Sequence, residues 1–181
     1  MKIIICVSND LTYDQRMQRI AGSFSKNHEV ELVGRKLKNS VDLETKNYAQ
    51  KRINLLFNRG ILFYTELNIR LFFFLLFRKA DCYYAVDLDT IVPVTLVAKL
   101  KSKKSIFDAH ELFEEVPELI DRPLKKSVWE WVAKKFIPKQ NLCITVSPAL
   151  AEYLESKYHK TFVVIRNVPY QKKTTPTDKT E

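Results

Sequence analysis

Residues 2–34 read KIIICVSNDLTYDQRMQRIAGSFSKNHEVELVG, and the order of patterns within them decides the fold. Residues 2–7 read as a strand: after Lys2 comes a continuous apolar run rich in β-branched side chains, as in a strand buried on both faces. Across residues 13–26 the apolar positions switch to helical spacing, with Met17, Ile20, Ala21 and Phe24 sharing one stripe. Residues 29–33 return to strand character and close at Gly34. This is a β-α-β unit, and its connection should be a right-handed crossover.

The alternation continues outward from that unit. Residues 35–58 are polar and basic and read as loop with one short strand. A long apolar helix is expected over 61–79, a strand over 81–86, a helix over 90–100 and a strand over 104–107. Residues 108–120 read as a carboxylate-rich loop. The helix over 123–137 starts at Asp121 or Arg122 with Pro123 near its first position. A strand follows over 141–146, and Ser147-Pro148 supplies an N-cap and a first-turn proline to a helix ending near 158. Residues 162–165 are the last strand, and the polar run 170–181 reads as a linker. The fold class is α/β: a Rossmann-like open parallel sheet with helices on both faces, occupying residues 1–169.

Composition bounds what this domain can do. The chain has 181 residues, 46% hydrophobic and 28% charged, enough to bury one core. Its three glycines, Gly22, Gly34 and Gly60, form no G-x-G-x-x-G fingerprint, which argues against a glycine-rich nucleotide cradle. Cys6, Cys82 and Cys143 each sit inside an apolar run without C-x-x-C spacing and read as reduced strand residues of a cytoplasmic protein. No cluster of His, Cys and acids argues for a metal. The N-terminal apolar run is too short for a signal peptide. The hydrophobic peak over 61–77 is broken by Glu66, Asn68 and Arg70, so no membrane-spanning helix is expected.

In open α/β sheets ligands lie beyond the carboxyl ends of the strands, near the point where strand order reverses. After the first strand come Asn9, Asp10 and Asp14, opening a helix whose free N–H groups and dipole suit an anion. Capping by Asp14 or Thr12 alone is an equal reading. After the strand ending at Val86 come Asp87, Asp89 and Thr90. These are candidates for sugar hydroxyls or a metal, with a plain acidic helix start the favoured alternative. Asp108-Ala109-His110-Glu111 is the densest chemical cluster: a histidine among carboxylates at a strand end can serve as general base or phosphate contact. Glu114, Glu115 and Glu118 read as solvated, and Ser147 as an N-cap.

Three segments carry a resemblance: Val7-Ser8-Asn9-Asp10 with Asp14-Gln15-Arg16 and residues 30–35; Phe107-Asp108-Ala109-His110-Glu111-Leu112-Phe113 with Val116-Pro117-Glu118-Leu119; and Ile144-Thr145-Val146-Ser147 with Val163-Val164-Ile165-Arg166-Asn167-Val168-Pro169. Together the sequence resembles the N-terminal domain of GT-B glycosyltransferases of the family-4 type, from residue 1 to 169. The resemblance implies a retaining enzyme that moves a sugar from a nucleotide sugar to an acceptor hydroxyl, in glycan or envelope polysaccharide synthesis, with no metal or other cofactor. It implies a separate C-terminal domain, with an E-x7-E motif, that holds the donor; no second Rossmann unit is found in these residues. The isolated chain is accordingly expected to be inactive, its partner being its own C-terminal domain or a separate donor-binding subunit. By the same resemblance His110 lies near the transferred sugar and phosphate, Glu111 orients it, Asn9, Asp10 and Asp14 face the diphosphate and acceptor, and Ser147 lines the cleft. Many family members carry glycines in the first loop, and this chain carries none there.

The net charge of +9 is an argument about partners. Nucleic acid is disfavoured, because acids cluster at the strand ends and no helix-turn-helix, zinc or RNP pattern is present. A basic α/β binding module without catalysis remains the alternative reading. The basic stretch before residue 60 and the run Leu71-Phe72-Phe73-Phe74-Leu75-Leu76-Phe77 raise peripheral attachment to an anionic inner membrane face and a sugar or lipid-linked acceptor. The plain alternative is a core helix beside a solvated loop. In the helix over 123–137, Val128, Val132 and Phe136 align with Trp129; Trp131 sits off that stripe, with core packing the favoured reading and a face toward a missing domain or an acceptor the alternative.

Overall fold

The computed structural model describes residues 1–111 and 122–168. Seven strands, all parallel, form one sheet: β1 (Lys2–Cys6), β2 (Glu29–Lys36), β3 (Ala49–Asn54), β4 (Cys82–Val86), β5 (Lys104–Ala109), β6 (Leu142–Thr145) and β7 (Phe162–Val164). Their order is β3-β2-β1-β4-β5-β6-β7. The chain winds outward from β1 to β3, returns through a long helix, and winds the other way from β4 to β7. Strand order therefore reverses between β1 and β4, where Ile3 to Cys6 pair with Cys82 to Ala85.

Among the described residues five α-helices connect the strands: α1 (Gln15–Phe24), α2 (Gly60–Leu76), α3 (Leu88–Leu100), α4 (Pro123–Phe136) and α5 (Pro148–Tyr158). One core cluster unites Phe63, Leu67, Leu71 and Leu75 of α2 with Ile91, Val94 and Val97 of α3, Val132 and Phe136 of α4 and Leu154 of α5. The other joins Met17 and Ala21 of α1 to Ile3, Ile5, Leu32 and Tyr84. The sheet is thus covered on both faces, as the alternating pattern predicts, with four helices on one side and α1 on the other. On the α1 side the far strands stay partly bare: Leu142, Val163 and Ile165 are exposed, and Ile144 pairs with Val163.

Several boundaries differ from the sequence reading. β2 runs through Gly34 to Lys36, because Gly34 is needed there for contact rather than for a turn. A Cβ at Gly34 would lie 2.5 Å from the carbonyl oxygen of Asn9 and 2.5 Å from Leu11 Cδ2, and the next residue, Arg35, donates its N–H to that same carbonyl. The short strand inside the basic stretch is a full six-residue edge strand, β3, whose Lys51 and Arg52 give the polar edge that discourages further pairing. Asp108 belongs to β5 rather than to a loop. Trp131, read as core, is half-exposed, with Lys135 Nζ 4.4 Å above its ring, and Val128 is exposed as well. Glu114, Glu115, Glu118 and the 170–181 run lie outside the described residues.

Candidate functional site

The carboxyl ends of β1, β4 and β5 converge at the reversal of strand order, and a network of buried polar groups ties them together. Its hub is Arg16 in the first turn of α1, which is 7% exposed. One guanidinium nitrogen, Nη2, donates to both carboxylate oxygens of Asp108, at 3.1 and 3.3 Å. Nη1 donates to the carbonyl of Ile165 at 3.2 Å, and Nε donates to Nε2 of His110 at 2.9 Å. Tyr84 Oη adds a bond to Asp108 at 2.8 Å. Asp108 is fully buried. Burial alone would raise its pKa, but the bond and charge of His110, the Arg16 guanidinium and the Tyr84 hydroxyl outweigh it and hold the carboxyl below the usual range.

His110 sits just beyond β5. Its backbone N–H donates to Asp87 Oδ1 at 2.9 Å, and Asp87 N–H donates to the carbonyl of Asp108 at 2.9 Å. Its ring Nε2 is 3.1 Å from Asp108 Oδ2 and its Nδ1 is 3.7 Å from Asp87 Oδ2. Nε2 therefore stands between a donor and an acceptor. Protonated, it donates to Asp108; unprotonated, its lone pair accepts from Arg16. Burial, the largest influence, disfavours the imidazolium, yet the Asp108 bond and the charges of Asp87 and Asp108 prevail and the pKa is raised. With 18% of its side chain exposed, His110 can present a positive charge to an anion or exchange a proton with a bound group.

Asp87 pays for this placement in backbone strain. Its φ of 56° with ψ of 175° is a region that non-glycine residues seldom occupy, at a cost of about 1–3 kcal/mol. Burial pushes its carboxyl up to about 6, with His110 opposing. Asp89, in the first turn of α3, is buried, and burial together with the charge of Asp87 pushes it up to about 7. Its Oδ1 has no hydrogen-bond partner among the described residues.

The other candidates take varied places. Asn9 is exposed on the first loop, beside the site. Asp10 is buried and turned toward β3, where Arg52 donates to it at 2.7 Å and Ser40 and the Thr12 N–H also bond it. Burial would raise its pKa, but these bonds lower it. Asp14 caps α1, accepting from Met17 N–H at 3.0 Å. Ser147 caps α5, accepting from Leu150 N–H at 3.3 Å. Glu111 is exposed; among the described residues the groups on the His110 ring are Arg16, Asp108 and Asp87. Arg16 and Tyr84 were not singled out from the sequence. The signal for Arg16 was its place one turn before Ile20, a charge in line with the apolar stripe. Among the described residues no group of three or more His, Cys, Asp and Glu could hold a metal.

A parallel sheet reversed at its centre, with a histidine-carboxylate-arginine network at the reversal, defines the Rossmann-like half of a GT-B architecture. The chain belongs to Glycosyltransferase Family 4, whose model matches residues 15–168. Solved structures share the fold at low identity. A sucrose-phosphate synthase fragment from Thermosynechococcus elongatus has 13% identity and a TM-score of 0.62, with 93% of this chain and 90% of that one covered. The apo lipopolysaccharide outer core galactosyltransferase WaaB has 12% identity and a TM-score of 0.63, with 100% and 50% covered. A UDP-GlcNAc 2-epimerase from Methanocaldococcus jannaschii has 13% identity and a TM-score of 0.61, with 91% and 45% covered. The chain thus spans about half the length of the last two. A search of curated protein sequences gave no match.

Proposed function

We propose that this chain is the acceptor-side domain of a nucleotide-sugar-dependent glycosyltransferase, and that His110 faces the sugar and phosphate during transfer. The observation that carries the reading is the seating of His110: a partly exposed imidazole at the strand reversal, held by Asp108 and Asp87 so that its charged form is favoured. A fixed positive group there would stabilise a departing diphosphate, the kind of electrostatic assistance sugar transfer requires. Asn9, on the adjoining loop, and Asp87 are the groups placed to meet sugar hydroxyls. Asp10, Asp14, Asp108 and Ser147 act through the shape of the loops they cap or anchor.

The donor site belongs, on this reading, to a C-terminal domain of the same protein or of a partner subunit. The bare apolar strip of Leu142, Val163 and Ile165 supports it, since a sheet face of this kind is normally covered. No helix among the described residues is long and apolar enough to cross a membrane, and we place the domain in the cytoplasm, with a sugar or lipid-linked molecule as acceptor. The test is release of nucleoside diphosphate from UDP- and GDP-sugars. We expect none from the chain alone and measurable release once a donor-binding domain is joined to it or added. Release by the chain alone would overturn the division of labour, and no release from the complete pair with any donor would overturn the function.

A further inference from the structure

Helix α2 and the loop before it expose an apolar face that nothing among the described residues covers. Ile61, Ile69, Phe73 and Phe77 fall at four-residue steps, with Thr65 filling the gap, and so lie on one stripe. Their exposures are 72%, 52%, 53% and 82%. The opposite stripe, Phe63, Leu67, Leu71 and Leu75, is buried in the core, so the helix is already anchored and its outer stripe is surplus to the fold. Glu66 widens the patch. Its carboxylate accepts from the N–H groups of Leu56 at 2.8 Å and Phe57 at 2.9 Å, clipping the preceding loop to the helix. Leu56, 78% exposed, is thereby held beside the stripe.

Charge surrounds this patch with one sign. Residues 45–80 contain seven Lys or Arg and a single carboxylate, Glu66, which is itself paired with Arg70 at 2.7 Å. Arg59 precedes the helix, Arg78 and Lys79 follow it, and all three are exposed. A shallow groove of about 500 Å³ beside the stripe brings Lys51, Arg52 and Arg70 together with Ile69 and Phe73.

We infer that this face docks on an anionic lipid surface, with α2 lying in the interfacial plane. Aromatic and aliphatic side chains flanked by cations are what the boundary between phosphate headgroups and acyl chains accommodates. A second copy of this chain fits poorly, because self-association would oppose two faces of like charge. The first half of α2 also flanks the site: Asn68 Nδ2 donates to the carbonyl of Asp89 at 2.9 Å, and the Arg35 guanidinium lies 4.5 Å over the Phe63 ring. Docking would therefore set the strand ends beside the lipid headgroups. The inference rests on this surface alone and stands whether or not the chain takes part in sugar transfer.

Flotation of the chain with vesicles of phosphatidylcholine, with and without phosphatidylglycerol, tests it. We expect flotation with the anionic vesicles at low salt, little with phosphatidylcholine alone, and release at high salt. The triple variant Ile69→Ser, Phe73→Ser, Phe77→Ser should stay unbound while melting as the parent does. The double variant Arg59→Gln, Lys79→Gln, which leaves the apolar stripe intact, should partition about 30-fold less, from about 1 kcal/mol per cation. A parent chain that stays at the bottom of the gradient with anionic vesicles at low salt overturns the inference. So does a dimer in solution that the triple variant dissociates without any flotation by the parent.

Discussion

Arg16 and Asp108, separated by 92 positions in the chain, meet as a buried ion pair at 3.1 Å, with side-chain exposures of 8% and 0%. The pair joins α1 to β5 and supports His110 from both partners. Removing one member strands the other charge in the interior. Asp108→Asn or Arg16→Ala should therefore each cost about 3–5 kcal/mol, read as a fall in the urea midpoint. A loss under about 1 kcal/mol would show that the pair is solvated rather than buried.

The His110 imidazolium owes its stability to two carboxylates, Asp108 in β5 and Asp87 just beyond β4. Asp108→Asn should lower its pKa, and so should Asp87→Asn, as followed by the imidazole resonances in a proton titration. The sign of the linkage is fixed by the upward shift of His110. Its stabilisation is full below the unfolded value, about 6.5, and is lost as pH rises through the folded value. An unchanged titration in both variants would remove the carboxylates from this role.

Asp89 changes stability in the same direction with pH, but because its ionised form is the costly one. Its folded pKa near 7 lies above the ordinary value of 3.8. The native state thus binds the proton more tightly, and stability falls as pH rises from about 4 to about 7. Asp89→Asn should raise the melting temperature at pH 8 and leave it nearly unchanged at pH 4. An equal effect at both pH values would contradict the assignment.

Gly34→Ala should destabilise the chain by about 1–3 kcal/mol, since the new methyl meets the Asn9 carbonyl and Leu11 at 2.5 Å. The first loop would have to lift off β2. Amide exchange at Arg35, whose N–H bonds that carbonyl, should accelerate in the same variant.

Much of the fold was legible because a parallel sheet writes its strands as unbroken apolar runs, as in residues 2–7 and 82–86. The edge strand β3 was legible only as one short strand somewhere in 35–58, because Lys51 and Arg52 carry no such run; its order comes from pairing with β2 and from the bond of Arg52 to Asp10. Asp108 read as loop because a lone carboxylate inside a strand is costly until its partners are known. Those partners, Arg16 and Tyr84, are distant in sequence, and local periodicity cannot couple them. His110 was visible from its place after a strand. What holds it was not: the adjacent Glu111 drew attention, whereas the ring is flanked by Asp108 and Asp87. Asp14 and Ser147 were legible as caps, and the structure gives both that bond.

The central claim is that His110 acts at the reacting groups of a sugar transfer. It is tested most directly by nucleoside diphosphate release from this chain joined to a donor-binding domain, comparing His110→Ala with the parent at equal folded concentration. The account predicts a fall of about 10²- to 10⁴-fold in turnover, alongside a lower melting temperature from the lost contacts of the ring with Arg16 and Asp108. Turnover within about twofold of the parent would contradict it and remove His110 from the site.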